Sequence, residues 1–263
     1  MGIIDINSHY FAREGDIEAY RRLVQDPQIE RIIVSAANLR LPRSDRFPLM
    51  STFCATNEQL LDMVAAVGSA KLIPFCFIYP LDKDGPRQIE HAPSRGFRGL
   101  KMYPPMGFRP DQPEALDAFR AAEALRLPVF LHMGRTAPHP QLRSEFARPI
   151  HLEGLGLACP DLPVIIGHFG APWQREASHI GAGFKNFYFD ISTSGSWDVA
   201  AIRYVMEPPY MNGAGRMLLG TNGRGDNNLK LIDEALARLQ AGGLNDEQMR
   251  RITHDNAAAL LGP

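Results

Sequence analysis

Eight short apolar runs, each bounded by Gly, Pro or polar residues, start roughly 23 to 40 residues apart along this 263-residue chain. They cover 2–6, 31–36, 71–78, 99–103, 128–132, 163–168, 186–191 and 216–220. Most are apolar throughout instead of alternating, the pattern of parallel strands covered on both faces. Segments of helical period separate them. Thr56-Asn57-Glu58-Gln59 has the spacing of a capping box, and Leu60, Leu61, Val64 and Val67 follow on one face. Asp111-Gln112-Pro113-Glu114 opens another helix with proline in its first turn, and 226–239 and 246–261 supply the last two. Each strand-plus-helix repeat is the size of one βα unit. The prediction is an α/β chain folded as a (β/α)8 TIM barrel, one domain spanning 1–263. A doubly wound open sheet is the alternative, but no Gly-x-Gly-x-x-Gly follows the first strand.

Composition narrows the partners. Lys and Arg total 28 against 29 Asp and Glu, a net charge of −1, so no field favours nucleic acid or an acidic membrane surface. Apolar stretches such as 72–79 are far shorter than the roughly 18 residues of a membrane helix. The opening MGIIDINSHY has no basic leader, and Ile6 stands where a myristoylation signal needs Ser or Thr. Cys54, Cys76 and Cys159 are odd in number and set among apolar neighbours, which predicts reduced, packed thiols and a cytoplasmic protein.

In a barrel, chemistry belongs at the C-terminal ends of the strands. Strand 1 ends in Asp5-Ile6-Asn7-Ser8-His9, whose residues 5, 7 and 9 share a face by the two-residue period. Strand 4 delivers Lys101 and Tyr103, strand 5 His132, strand 6 His168, strand 7 Asp190 and Ser192, and strand 8 Thr221 and Asn222. Three of the eight histidines thus point to one mouth. His91, His139, His151, His179 and His254 fall in loops or helices and read as solvated side chains. Two readings stay open for Asp5 and Asp190, orienting a site residue or accepting from local backbone. Two are open for Lys101 as well, an anion-binding or catalytic lysine or one half of a structural ion pair. Trp173, after His168-Phe169-Gly170, reads as a lid residue that walls a pocket or packs under a loop.

Six short stretches occur in order across almost the whole chain. They are Ile4-Asp5-Ile6-Asn7-Ser8-His9, Gly99-Leu100-Lys101 and Pro128-Val129-Phe130-Leu131-His132-Met133-Gly134. The rest are His168-Phe169-Gly170, Gly220-Thr221-Asn222 and Asn256-Ala257-Ala258-Ala259-Leu260-Leu261. The set resembles the amidohydrolase superfamily, and within it the branch of aminocarboxymuconate semialdehyde decarboxylase and the 2-pyrone-4,6-dicarboxylate lactonases. The resemblance implies a divalent metal held by a strand-1 His-x-His pair, the strand-5 His and a strand-8 Asp. The strand-6 His, with that Asp, handles substrate and proton. His9 and His132 match metal ligands, and His168 matches the proton-transferring histidine. Asn7 and Asn222 replace the first strand-1 His and the strand-8 Asp.

An amide oxygen is a poorer zinc donor than imidazole, and Asn lacks both the charge and the titration of a carboxylate. Asp226 is placed either to swing in on its glycine-flanked loop or to cap the following helix. The reading that follows is a hydrolase or decarboxylase, hence a lyase, acting on a small carboxylated or carbonyl-containing substrate. Its cofactor is none, or a weakly bound divalent metal such as zinc at His9, His132 and Asn7. His168, Asn222 and Lys101 are the expected catalytic residues, and Lys101, Tyr103, Arg135, Trp173 and Arg224 the expected substrate binders. A homo-oligomer is left open. The reading from another class is a non-catalytic small-molecule binder on the same fold.

Overall fold

The computed structural model describes residues 2–36, 38–41, 54–192 and 213–262. Its eight strands are β1 (Ile3–Tyr10), β2 (Ile29–Ala36), β3 (Leu72–Phe77), β4 (Gly99–Met102), β5 (Val129–Leu131), β6 (Val164–Ile166), β7 (Phe187–Asp190) and β8 (Met217–Leu218). Every neighbouring pair from β1 to β8 is parallel, in chain order. Closure between β8 and β1 is made just past the end of β8. Ile6 N donates to Leu219 O, Asn222 N to Asn7 O and His9 N to Gly223 O. The predicted barrel is the fold.

Alternation along each strand sorts side chains into two cores, which is why the strands read as apolar throughout. Val129 and Leu131 of β5 and Val164 and Ile166 of β6 join the large core shared with the helices. Phe130 and Ile165, between them, join a separate cluster with Ile4, Ile6, Ile33, Phe75 and Leu218 that fills the barrel. Fully burying one such side chain stabilises by roughly 1.5–3 kcal/mol. Gly99 belongs to this packing, since a Cβ there would lie 2.4 Å from the Phe75 ring.

The helices are α1 (Asp16–Gln25), α2 (Asn57–Val67), α3 (Gly85–His91), α4 (Pro113–Ala124), α5 (Leu152–Ala158), α6 (Gln174–Ala182), α7 (Asn228–Ala241), α8 (Asp246–Arg250) and α9 (Asn256–Leu261). The expected capping box is present on α2, where Thr56 Oγ1 accepts from Gln59 N and Gln59 Oε1 accepts from Thr56 N. The helix expected over 246–261 is continuous, and it widens into a π turn at Arg251–Asp255. That wider turn frees the Ile252 carbonyl to accept from Leu219 N, and Asn256 Nδ2 donates to Met217 O. The C-terminal segment is thereby tied to β8, and Ala257, Leu260 and Leu261 pack against the barrel filling.

Three sequence expectations change. Cys76 and Cys159 are buried and reduced, but Cys54 is exposed instead of packed. His139 is buried rather than solvated, and its Nδ1 accepts from Gln141 N. Asp226 neither caps α7 nor enters the mouth; it is exposed and lies 3.8 Å from the Arg13 guanidinium. Its residence on the outside follows from Asn228, whose Oδ1 already accepts from Gly225 N in that loop. Among the described residues no helix is long and apolar enough to cross a membrane.

Candidate functional site

β1 does not keep a strict period of two. Its register against β2 slips between Asp5 and Ser8, where three steps on β1 match two on β2. The extra residue turns Asp5 away from Asn7 and His9, contrary to the shared face expected for all three. Asp5 is instead fully buried against the loop after β8. Its Oδ1 accepts from Asn7 N and Thr221 N, and its Oδ2 from Thr221 Oγ1 and Asn228 Nδ2. Burial pushes its carboxyl up to about 6, against the pull of those four donors. Of its two readings, the backbone acceptor is what the structure shows.

Asn7 reaches the mouth and is saturated there. Its Nδ2 donates to Asp190 Oδ2 (3.2 Å) and Ser192 Oγ (3.0 Å), and its Oδ1 accepts from Lys101 Nζ (3.2 Å). Lys101 is only 2% exposed, with its ammonium 3.3 Å from the centre of the Phe130 ring. Phe130 thus offers a π face to the cation where water would otherwise solvate it. Burial pushes Lys101 down to about 7, opposed by the charge of Asp190.

Asp190 accepts from Ser192 N (2.7 Å), His168 N (3.0 Å) and Ser192 Oγ (2.5 Å) besides Asn7. It therefore satisfies both readings left open for it, orienting site residues through their backbone. His168 Nδ1 meets Ser192 Oγ at 2.9 Å, and His168 Nε2 meets His132 Nδ1 at 3.0 Å. Tyr103 stacks on His132 with ring centres 4.1 Å apart, and its hydroxyl meets Thr136 Oγ1 at 2.6 Å. His9 Nε2–H donates to Asn222 Oδ1 at 2.7 Å. His168 and Asn222 both have left-handed backbone, at φ 52° and 59°. Such a conformation costs a non-glycine residue roughly 1–2 kcal/mol, less for Asn, and here it aims both side chains into the cluster.

All three histidines favour the neutral form. Burial pushes His9 down to about 3, and the Lys101 charge adds to it. Burial and the neighbouring His168 hold His132 well below the ordinary range. His168 is lowered by burial as well, although Asp190 pulls the other way. Neutral imidazoles in a dry mouth can accept protons, and a buried ammonium beside them favours an anionic guest.

The expected binders divide. Tyr103 is in the cluster, and Arg224, half-buried, is near enough for its charge to lower His9. Arg135 is exposed, next in sequence to the Thr136 that holds Tyr103. Trp173 is half-buried beneath the Arg148 guanidinium, 5.4 Å from the ring, and no described contact joins it to the histidines. Ser192, placed at the mouth by the sequence without a role, belongs to the site, as do Thr136 and Phe130, which were not expected there. Ser192 had a signal, standing two residues beyond Asp190 at a strand end, whereas the Phe130 face required knowing which side of β5 points inward.

Gly220 lets this cluster close. A Cβ on it would stand 2.2 Å from Asp190 Oδ1 and 3.0 Å from the Asn7 Cβ. Gly220→Ala is expected to lower stability by about 1–3 kcal/mol, the usual cost of overpacking, in a denaturant titration. Unchanged stability would mean that Asp190 has room to move.

A family model described as amidohydrolase matches residues 4–262. Several solved structures share the fold. An uncharacterized TIM-barrel protein from Bordetella bronchiseptica is 18% identical with a TM-score of 0.75, covering 99% of this chain and 98% of that one. A probable 2-pyrone-4,6-dicarboxylic acid hydrolase from Acinetobacter baumannii, with citric acid bound, is 14% identical with a TM-score of 0.64 and 99% of each chain covered. The 5-carboxyvanillate decarboxylase of Novosphingobium aromaticivorans, complexed with manganese and a nitrobenzoic acid, is 16% identical with a TM-score of 0.66, covering 99% and 96%. No curated protein matches the sequence.

Proposed function

We propose that this chain, which belongs to the amidohydrolase family, is a hydrolase or decarboxylase of a small carboxylated substrate. The observation that carries the proposal is the pair of histidines held toward the neutral form, His132 and His168, in contact near the buried Lys101. Hydrolysis needs a base to take a proton from water, and decarboxylation needs an acid to give one to the carbanion left behind. A neutral imidazole supplies the base directly, and once it has taken up a proton it supplies the acid. Lys101, Tyr103, Arg135, Trp173 and Arg224 are the proposed substrate contacts, with the cations holding the carboxylate. The hydrolase and decarboxylase above, with citric acid and a nitrobenzoic acid bound, support a carboxylated substrate class.

The residues present do not fit a tightly held divalent metal of the kind bound by the decarboxylase. Among the described residues no group of three or more His, Cys, Asp or Glu is disposed to hold one. Asn7 Oδ1 is occupied by a lysine ammonium, and Asn222 Oδ1 by a histidine N–H. That leaves His9 and His132, one ligand short of the three usual at catalytic zinc. These spent amides also favour the second reading, a protein that binds its carboxylate without turning it over.

Turnover of a panel of lactones and hydroxybenzoates by the purified protein separates the two. His168→Ala is expected to lower any turnover by about 10²–10⁴-fold, the usual worth of acid–base catalysis. Calorimetric binding with no turnover of any member would establish the binder instead.

A further inference from the structure

The hydrogen bonds around Asp190 determine where each proton in the site sits. Asp190 accepts from four donors, so it serves as an acceptor-only carboxylate. Ser192 has one hydroxyl proton and gives it to Asp190 Oδ2. Its oxygen is therefore an acceptor toward its other two neighbours, Asn7 Nδ2 and His168 Nδ1. His168 must then carry its proton on Nδ1, which leaves Nε2 as a lone pair. His132 Nδ1 lies 3.0 Å from that lone pair and must be the donor. His132 Nε2 is left unprotonated, and it is buried with no hydrogen-bond partner among the described residues.

We infer that Ser192 is a positioning residue that, through His168, leaves His132 Nε2 as the bare hydrogen-bond acceptor facing the mouth. This rests on the proposed function and deepens it, since it names the atom that would meet the O–H of the substrate or of a water. A buried acceptor left without a partner costs about 1–3 kcal/mol, and a fold keeps such a group where a guest supplies the missing donor. The donor that fits is the O–H of a substrate hydroxyl or of a water.

Ser192 is the member that can be tested alone. Without its hydroxyl, 3.9 Å separates His168 Nδ1 from Asp190 Oδ2, beyond hydrogen-bonding distance. His168 Nδ1–H then keeps only the weaker hold of the Ser192 backbone carbonyl, and the other tautomer, which places Nε2–H against His132 Nδ1, becomes the favoured one. His132 can accept there only by carrying its own proton on Nε2.

Nitrogen-15 NMR of the full chain labelled at histidine reads these states without any substrate. The expected wild-type spectrum shows both His132 and His168 protonated on Nδ1 and bare on Nε2. In Ser192→Ala the ring signals of both histidines are expected to move together, and Ser192→Thr should restore them. A protonated Nε2 on His132 in the wild type would overturn the inference. So would a Ser192→Ala spectrum in which His168 moves and His132 does not. Circular dichroism and thermal unfolding of Ser192→Ala confirm that the variant folds, and the wild-type spectrum decides the matter if it does not. The tautomers can stand while no substrate is turned over, in which case only the proposed function fails. Turnover with the opposite tautomers would sink the positioning role and leave the function standing.

Discussion

Asp5→Ala is expected to destabilise the fold by about 3–5 kcal/mol, because it empties the hydrogen-bond hub buried behind the mouth. Asp5 is fully buried, and removing it takes the only described acceptor from Asn7 N and Thr221 N. Two buried N–H groups without acceptors cost about 1–3 kcal/mol each. Thr221 Oγ1 and Asn228 Nδ2 lose less. Thr221 Oγ1 retains Asn7 O at 3.3 Å, and Asn228 Nδ2 retains Ser8 Oγ at 2.9 Å. Asp5→Asn is no remedy, because its amide nitrogen would face two donors at whichever oxygen it replaced.

The loss should also depend on pH. Burial raises the folded carboxyl to about 6 from 3.8, so between those values the folded state binds a proton that the unfolded state does not. The contribution of Asp5 is therefore fully present below about 4 and falls as pH rises through 6. The gap between wild type and Asp5→Ala is expected to be widest near pH 4 and narrower at pH 7. Urea titrations at both values check this. A gap that widens with pH would show that the four hydrogen bonds outweigh burial.

The barrel was legible because each strand buries both faces, and the sequence writes that as continuous apolar runs between turn residues. The site was legible for a related reason. A polar residue at the end of such a run has nowhere to go but the mouth, and Lys101, His132 and His168 all follow that rule. What one sequence hides is a change of register. Asp5, Asn7 and His9 look like one face until β1 slips by a residue, and nothing in Ile-Asp-Ile-Asn-Ser-His marks the slip. The π turn inside the last helix was hidden likewise, because the partner of its Ile252 carbonyl is the Leu219 amide more than thirty residues upstream. Hydrogen-bond direction was hidden most of all. That Asn7 binds a lysine and a carboxylate at once, and that Ser192 orders two histidines, depends on pairings among residues brought together from five strand ends.

Asn7→His combined with Asn222→Asp should raise affinity for zinc or manganese by more than the product of the two single effects. Each single change leaves a site incomplete. Asn7→His adds an imidazole but keeps a neutral amide at 222, engaged with His9. Asn222→Asp adds a charged oxygen but leaves Lys101 donating to the Asn7 amide. Together they supply two more donors to His9 and His132, which meets the four-ligand need and balances the ion's charge. Interaction energies between neighbouring sites run about 0.5–3 kcal/mol, so the excess should be about 2- to 150-fold. The Lys101 ammonium works against this gain, since two cations would then share a dry mouth. Adding Lys101→Met should therefore tighten metal binding further, by relieving that repulsion. Competition against a chromogenic chelator measures all five proteins on one scale. Near-stoichiometric, tightly held metal in the unaltered chain would show that His9 and His132 find a third ligand after all. A double variant no better than the stronger single would place the inherited site elsewhere in the mouth.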